Sequence, residues 1–312
     1  MRCVGMVCVF AWGALCQETP TFRSGISLVH ADAEVVSRDG RTLNGFSKDD
    51  FRVLDEGKEQ PIVHFSAGEE ALDLILLFDV SGSMRPKVQG VAMAAREGVQ
   101  ELRQGDRVAI MAFNRRSRMV APFTEDMAAV QRSIQEDVLG LPFGGGTYIQ
   151  SAVSDAAKVF RSEPVTGRRR AILVITDNFG QRTRSESSVV SELWEADALL
   201  TGLIVRSAAA QTAHTIFTVT HPYMYGLQAG VRGIAEKTGG DFIQADDPGS
   251  AFQESMRRIR SRYSIYYALP AQAKPGSHRT IRVGLSAEAG KRFPESRVRA
   301  RTGYTAPAAG KQ

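Results

Sequence analysis

The chain has 312 residues and a formal net charge of +5, with 43% hydrophobic and 23% charged residues. This composition is typical of a folded globular protein and excludes the disordered and fibrous classes. The densest basic run, Arg168–Arg170, directly precedes an apolar stretch and has no aromatic residues interleaved with it. Since single-strand binders combine basic residues with stacking aromatics, the sequence predicts no nucleic-acid partner.

The first segment has the pattern of an export signal. Arg2 is followed by an apolar stretch over residues 4–14, which is too short to cross a membrane comfortably. We predict that residues 1–16 are removed and that the protein is periplasmic or secreted, with no membrane span afterwards. All three cysteines lie in this segment, so the mature protein has none. A retained anchor and a lipid on Cys16 stay open as alternatives.

Residues 17–70 have the pattern of a small β-rich segment, because no helix-length periodicity interrupts the short apolar stretches. The predicted strands cover residues 26–30, 33–36, 51–54 and 61–65. A turn at residues 38–41 contains Asp-Gly, which favours a hairpin. The acidic residues Asp49, Asp50, Asp55 and Glu56 lack the spacing of a calcium loop, so we interpret them as a solvated turn.

From residue 71 to residue 262, apolar strands alternate with helical patterns. Such alternation predicts an α/β fold with a doubly wound, mostly parallel six-stranded sheet. The strands are predicted at residues 74–78, 108–113, 119–123, 171–176, 199–205 and 241–244. The helices are predicted at residues 86–103, 127–138, 148–160, 188–198, 227–238 and 248–260. Residues 208–225 are predicted to form an irregular loop.

Residues 263–305 return to β character, with predicted strands at 264–269, 279–285 and 296–301. Turns are predicted at residues 275–276 and 288–290. Three strands bury little apolar surface alone. We therefore expect them to pair with the strands of residues 17–70 in a small flanking β-sandwich-like module built from both chain ends. Residues 306–312 are predicted to be a disordered tail.

The stretch LDLILLFDVSGSM, residues 72–84, organises the rest of the chain. Its apolar residues are typical of a buried parallel strand, at whose carboxyl end α/β proteins bind ligands. There the sequence places Asp79, Ser81 and Ser83, with Gly82 allowing the loop to fold back. Carboxylate and hydroxyl oxygens are hard ligands that suit Mg²⁺, Mn²⁺ or Ca²⁺.

This Asp-x-Ser-x-Ser pattern resembles the metal-ion-dependent adhesion site (MIDAS) of von Willebrand factor A (VWA) domains. The resemblance implies that Thr147, after a run of three glycines, and Asp177, after the strand AILVIT, complete the site. It also implies that strand 119–123 is an antiparallel edge strand. Where the family usually has glycine after the last aspartate this chain has Asn178, a residue that tolerates left-handed backbone geometry.

The resemblance implies a function as well as a fold. In VWA adhesion domains the metal ion bridges to a glutamate or aspartate of a protein partner, and we predict the same here. Ser81 and Ser83 are then direct ligands of the metal ion. Asp79 and Asp177 bind the ion directly or through water. Thr147 binds it directly in one state and through water in another. Movement of helix 248–260, as in integrin-type domains, is a further possibility. The flanking segments resemble those of VWA-related proteins frequent in acidobacteria, which implies export.

The sequence motifs of hydrolases, nucleotide-binding proteins and zinc sites are incomplete in this chain. The loop at residues 80–83 lacks the Gly-x-Ser-x-Gly of a hydrolase elbow, and the glycine run before Thr147 lacks the Lys-Ser/Thr of a phosphate loop. His214 and His221 share a loop without a third zinc ligand. We therefore predict that the protein is not an enzyme. Metal-assisted hydrolysis stays open, as does a structural or assembly protein of the envelope whose metal site only stabilises its fold.

Overall fold

The computed structural model describes residues 27–164, 167–206 and 230–307. The predicted export signal, the predicted loop at 208–225 with its two histidines, and residues 308–312 lie outside the described residues. The strands, in chain order, are β1 (Leu28–Val36), β2 (Thr42–Leu43), β3 (Phe51–Asp55), β4 (Lys58–Gln60), β5 (Ile62–Ala67), β6 (Leu72–Asp79), β7 (Arg107–Phe113), β8 (Ser117–Thr124), β9 (Arg169–Thr176), β10 (Ala198–Val205), β11 (Phe242–Ala245), β12 (Tyr263–Ala268), β13 (His278–Leu285), β14 (Arg297–Ala300) and β15 (Gly303–Thr305).

The α-helices of the described ranges are α1 (Arg85–Gly98), α2 (Met127–Arg132), α3 (Ile149–Ser162), α4 (Glu186–Glu195), α5 (Val231–Thr238), α6 (Pro248–Arg260) and α7 (Ala287–Arg292). The helix predicted over 127–138 is regular only to Arg132 and continues as a π-helical turn, Ser133–Val138. Within these ranges, none of the helices combines the length and the apolar character needed to cross a membrane.

The central sheet has six strands in the order β11-β10-β9-β6-β7-β8. Five of them run parallel and the edge strand β8 runs antiparallel to β7, so the sheet is mixed, with the antiparallel edge strand that was predicted. Every residue of β6 is buried. Leu74, Leu76 and Phe78 pack with α1 and α6 on one face, whereas Ile75 and Leu77 pack with α3, α4 and α5 on the other. Burial on both faces explains the uninterrupted apolar run of this strand.

Strands from the two ends of the described chain pair with each other. β1 lies between β12 and β14 in a five-stranded sheet, and β13 pairs with β3 in a four-stranded sheet. A shared apolar core includes Phe51, Tyr263 and Val283. Inside it, Asp55 accepts hydrogen bonds from the hydroxyl groups of Tyr267 and Tyr304, at 2.9 and 2.8 Å, so this buried carboxylate ties both chain ends together.

Two strand predictions near the start of the described chain were wrong in detail. The two strands predicted within residues 26–36 are one continuous strand, β1, because alternate residues from Val29 to Val35 all face the same core. The turn after β3 leads into the short β4, and Pro61 then separates β4 from β5, which joins the other sheet. Proline has no N–H group to donate to a ladder, which accounts for the break.

Two predictions near the end also need correction. The predicted turn at 288–290 lies within a helix, α7, capped by the Ser286 hydroxyl, which accepts from the N–H of Ala289. The disordered tail predicted for residues 306–312 is wrong at residue 306, because Ala306 is 1% exposed and its N–H donates to the Ser277 carbonyl at 2.9 Å. The strand β15 just before it had not been predicted as a separate element.

A partly buried histidine connects β1 to the central domain. His30 Nδ1 lies 3.0 Å from a carboxylate oxygen of Asp197, which directly precedes β10, and the His30 ring stacks on Tyr266. Burial alone would lower the pKa of His30, but the carboxylates of Asp197 and Asp32 outweigh it and raise that pKa above 6.5. The nearby Arg301 opposes this change without reversing it.

This pair predicts a pH-dependent stability. Because the pKa of His30 is raised on folding, its contribution is fully present below pH 6.5 and is lost as the pH rises through the folded-state value. We expect the stability advantage of the wild type over His30→Gln to shrink between mildly acidic and mildly basic pH, as followed by thermal unfolding. His64→Gln, at a side chain that is 60% exposed, is the control. A stability advantage over His30→Gln that stays constant with pH would contradict the raised pKa of His30.

Candidate metal centre

Asp79 ends β6 at the carboxyl edge of the central sheet and is fully buried. One of its carboxylate oxygens accepts from the N–H of Ser81 at 2.9 Å, and the other accepts from the Thr176 hydroxyl at 2.7 Å. These two bonds fix the orientation of the carboxylate. The turn follows directly, since the strand stops where its apolar residues stop.

The two serines and the second aspartate meet in front of Asp79. Ser81 Oγ lies 3.3 Å from Ser83 Oγ, and the Ser83 hydroxyl donates to an Asp177 carboxylate oxygen at 2.6 Å. The other Asp177 oxygen accepts from the N–H of Phe179 at 3.0 Å. Four of the five predicted site residues are therefore linked by hydrogen bonds into one chain, although Ser83 and Asp177 are 94 positions apart.

Thr147 lies against the same loops through its backbone. Its carbonyl accepts from the N–H of Gln181 at 3.1 Å, and it is 7% exposed. A Cβ atom on Gly180 would lie 2.5 Å from that carbonyl oxygen, so only glycine allows this approach. On the other side, the N–H of Gly144 donates to the Val80 carbonyl at 3.0 Å. The loop bearing Thr147 is thus held between the loops that bear the other four residues.

Two conformational expectations can be compared with the backbone. Asn178 has φ +60°, which confirms the expectation that a left-handed residue follows Asp177. Gly82 lies outside the left-handed region, and a Cβ atom built on it meets no atom within 4 Å. The predicted need for glycine at position 82 is therefore wrong, because the short 3₁₀ turn Gly82–Met84 brings the chain round.

The two carboxylates share an environment that disfavours negative charge. Burial, together with the nearby Asp177, raises the pKa of Asp79 to about 7, because the hydrogen bonds from Thr176 and Ser81 offset these effects only in part. Burial also raises the pKa of Asp177 above its usual range, against the hydrogen bonds from Ser83 and Phe179. Such an environment favours a cation beside both groups.

Asp79 differs from the other buried acids in its partners. Each of seven other buried carboxylates forms an ion pair with an arginine: Asp32 with Arg169, Glu34 with Arg262, Asp50 with Arg292, Asp55 with Arg279, Asp73 with Arg107, Asp106 with Arg260 and Asp241 with Arg262. Among the residues that the structure describes, Asp79 has no cationic partner. A buried carboxylate without a counter-charge is unfavourable, so the donor set fits a bound divalent cation.

The chemistry of the donors narrows the type of ion. Within the described ranges, no three His, Cys, Asp or Glu side chains come together as a metal site. This centre has only two carboxylates and takes its remaining oxygens from serine and threonine. An all-oxygen set of low charge suits Mg²⁺, Mn²⁺ or Ca²⁺ and leaves the ion able to accept a further anionic oxygen.

Two residues that support the site had not been predicted. Thr176 donates to Asp79, and its hydroxyl also accepts from the N–H of Asn178 at 3.1 Å. Asn114 donates to the Gly144 carbonyl at 3.3 Å and its own carbonyl accepts from the N–H of Tyr148. Both polar residues stand at the carboxyl ends of apolar strands, and that position was the available signal.

Comparison with known proteins gives a family match. The family model described as von Willebrand factor type A domain matches residues 74–181, a segment that contains all five predicted site residues. No curated protein matches the chain.

Several solved structures are similar in fold. The conserved hypothetical protein BatB from Bacteroides thetaiotaomicron is 20% identical, covering 61% of this chain and 97% of that one, with a TM-score of 0.48. A von Willebrand factor type A protein from Catenulispora acidiphila is 13% identical over 85% of this chain and 71% of that one, with a TM-score of 0.46. Proximal thread matrix protein 1 from the mussel byssus, with a zinc-occupied MIDAS motif, is 15% identical over 66% of this chain and 49% of that one, with a TM-score of 0.48.

TM-scores below 0.5 carry no conclusion about ligands or partners. The family match rests on the sequence itself and includes β6 from Leu74 onward, the Asp-x-Ser-x-Ser turn and Asp177. The chain therefore contains a von Willebrand factor type A domain, as the motif predicted.

Proposed function

We propose that this protein is an exported, divalent-metal-dependent protein-binding module whose metal ion bridges to a carboxylate of its partner. One observation carries the proposal: within the described residues Asp79 is buried beside Asp177 without an arginine partner, whereas the other buried acids each have one. A divalent cation supplies the missing positive charge. The partner then contributes a glutamate or aspartate, because two protein carboxylates leave the ion short of anionic ligands.

Each residue has a role in this proposal. Ser81 and Ser83 bind the ion through their hydroxyl groups, while Asp79 and Asp177 bind it directly or through water. Thr147 binds directly or through water, depending on the state. The ion is Mg²⁺, with Mn²⁺ or Ca²⁺ as substitutes. The module has no catalytic role in this proposal, since no histidine and no third carboxylate lies among the described residues of the centre to act as a base.

The proposed location outside the cytoplasm is supported by the signal-like pattern of residues 1–16. The competing proposal is a structural or assembly protein of the cell envelope. The hydrogen-bonded contact between three loops favours it, because an ion at their meeting point stabilises the fold even without a partner. Binding experiments separate the two proposals.

Selection from a random peptide library displayed on phage tests the proposal without knowledge of the natural partner. The mature protein is immobilised in Mg²⁺ and bound phage are eluted with EDTA. We expect every enriched peptide to contain glutamate or aspartate, and replacement of that residue by its amide to remove binding. We expect Asp79→Asn to capture none of these peptides and Asp49→Asn, a change at an exposed aspartate of the flanking module, to capture them all.

Three outcomes would count against metal-bridged binding: enriched peptides without acidic residues, binding that persists in EDTA, or equal capture by Asp79→Asn. Thermal stabilisation by Mg²⁺ together with no enrichment at all favours the structural role instead.

A further inference from the structure

The loops around the metal centre carry a positive charge that the proposed metal site does not use. Described residues 79–85, 114–117, 139–148 and 177–184 contain only the two acids of the site, Asp79 and Asp177. They also contain Arg85, Arg115, Arg116, Arg182 and Arg184. Of these arginines only Arg184 has an acidic partner in the described chain, Glu192. A bound divalent cation adds to this excess.

Arg85 lies against the loop that carries Thr147. It is exposed at the start of α1, two positions after Ser83, and its guanidinium lies 5.5 Å from the centre of the Phe143 ring. Together with Gln89 and residues 139–143 it lines a pocket of about 360 Å³. The pocket has room for a side chain of a partner that is bound at the metal next to it.

Arg115 lies against the same loop, closer to Thr147. It is exposed, two positions after the end of β7, and a Cβ atom on Gly146 would lie 3.1 Å from its Nε atom. Its side chain thus covers the backbone of Gly146, next to Thr147. No carboxylate of the described chain pairs with Arg85 or Arg115, although most arginines in the described part of the flanking module are paired. Two guanidinium groups without a carboxylate partner in the described chain therefore lie against the loop that carries Thr147.

Resting on the function proposed above, we infer that the partner presents an acidic segment, in which the carboxylate at the metal is accompanied by further glutamates or aspartates that pair with Arg85 and Arg115. Guanidinium groups bind carboxylates through two parallel hydrogen bonds, and a positive surface accelerates the approach of an anionic partner. A peptide with a single acidic residue satisfies the metal but leaves both arginines unpaired.

Fluorescence polarisation with two labelled peptides tests this inference. One has six consecutive glutamates, and the other has a single glutamate among glycines and serines. In Mg²⁺ at low salt, we expect the polyglutamate to bind about tenfold or more tightly, with an advantage that falls as salt is added. Arg85→Gln and Arg115→Gln are each expected to weaken polyglutamate binding about three- to tenfold and to leave single-glutamate binding unchanged.

Arg282→Gln is the matched control, because Arg282 is also exposed and without an acidic partner in the described chain but lies in β13, away from the centre. Equal affinity for the two peptides, or a preference that survives both site substitutions, would overturn the inference while leaving metal-bridged binding intact. Failure of both peptides to bind overturns the proposed function and the inference.

Polyglutamate binding that is equal in EDTA and is lost in Arg85→Gln supports the arginine surface but overturns the metal bridge. If a labelled oligothymidylate binds more tightly than the polyglutamate, the arginines serve nucleic-acid binding and the inference is overturned.

Discussion

Substituting Asp79 by asparagine is expected to remove the stabilisation of this protein by Mg²⁺. In the wild type, free Mg²⁺ at a hundred times its Kd should add about 2.7 kcal/mol to the free energy of unfolding. For a protein of this size that corresponds to a rise in Tm of roughly 5 to 10 °C. Asparagine keeps the shape of the side chain but takes away one of the two charges that face the ion. The measurement is thermal unfolding with Mg²⁺ and with EDTA.

The same substitution should leave the metal-free protein at least as stable as the wild type in EDTA. The asparagine oxygen still accepts from the N–H of Ser81, and the Thr176 hydroxyl can turn to accept from the new amide. The charge of one of two neighbouring carboxylates is also removed. Asp49→Asn, at an exposed position, should respond to Mg²⁺ like the wild type. A response to Mg²⁺ that persists in Asp79→Asn would place the ion elsewhere.

A second large effect is expected inside the VWA domain, where the chain enters β11 beside β10. A Cβ atom on Gly240 would lie 1.9 Å from the carbonyl oxygen of Leu200 and 2.6 Å from its carbon. Both atoms belong to the backbone of β10, which is buried between two other strands and cannot move aside. We expect Gly240→Ala to destabilise the protein by about 3 kcal/mol or more, because overpacking against backbone has no rotamer that relieves it.

This effect appears as a fall in Tm of roughly 6 to 12 °C, or as failure to yield folded protein. Gly284→Ala in β13 is the matched control, since the same added methyl group meets no atom within 4 Å there and the backbone is outside the left-handed region. It should change stability by less than about 0.5 kcal/mol. A Gly240→Ala protein as stable as Gly284→Ala would show that β10 and β11 do not pack as described.

Much of the central domain could be predicted because its sequence repeats one local pattern. The run of aliphatic residues in β6 requires burial on both faces, and the abrupt change to Asp79, Ser81 and Ser83 marks the carboxyl end where ligands bind. The convergence of Asp177 on Ser83 follows from the parallel pairing of β6 and β9, which puts both strand ends at one edge. The likeness of the flanking segments to acidobacterial proteins stays a prediction.

The features that were missed depend on contacts between distant parts of the chain. The position of Thr176 at the end of an apolar strand is visible in the sequence, but its hydrogen bond to Asp79 appears only when β9 lies beside β6. The strand β5 lies in a different sheet from β4 because it pairs with β12, about two hundred residues later. The arginine partners of the buried acids lie between 21 and 242 positions away in the sequence. The absence of such a partner at Asp79 within the described residues therefore could not be seen before the fold was known.

Crystallographic location of Mn²⁺ tests the central claim most directly, because the anomalous signal of manganese identifies the ion itself. Crystals of the mature protein soaked in Mn²⁺ should show one strong anomalous peak within roughly 2 to 2.6 Å of Ser81 Oγ and Ser83 Oγ, beside the carboxylates of Asp79 and Asp177. The peak should be absent from Asp79→Asn crystals treated in the same way. No peak at this position in well-ordered wild-type crystals, or a peak that persists in Asp79→Asn, would contradict the claim that these oxygens hold a divalent cation.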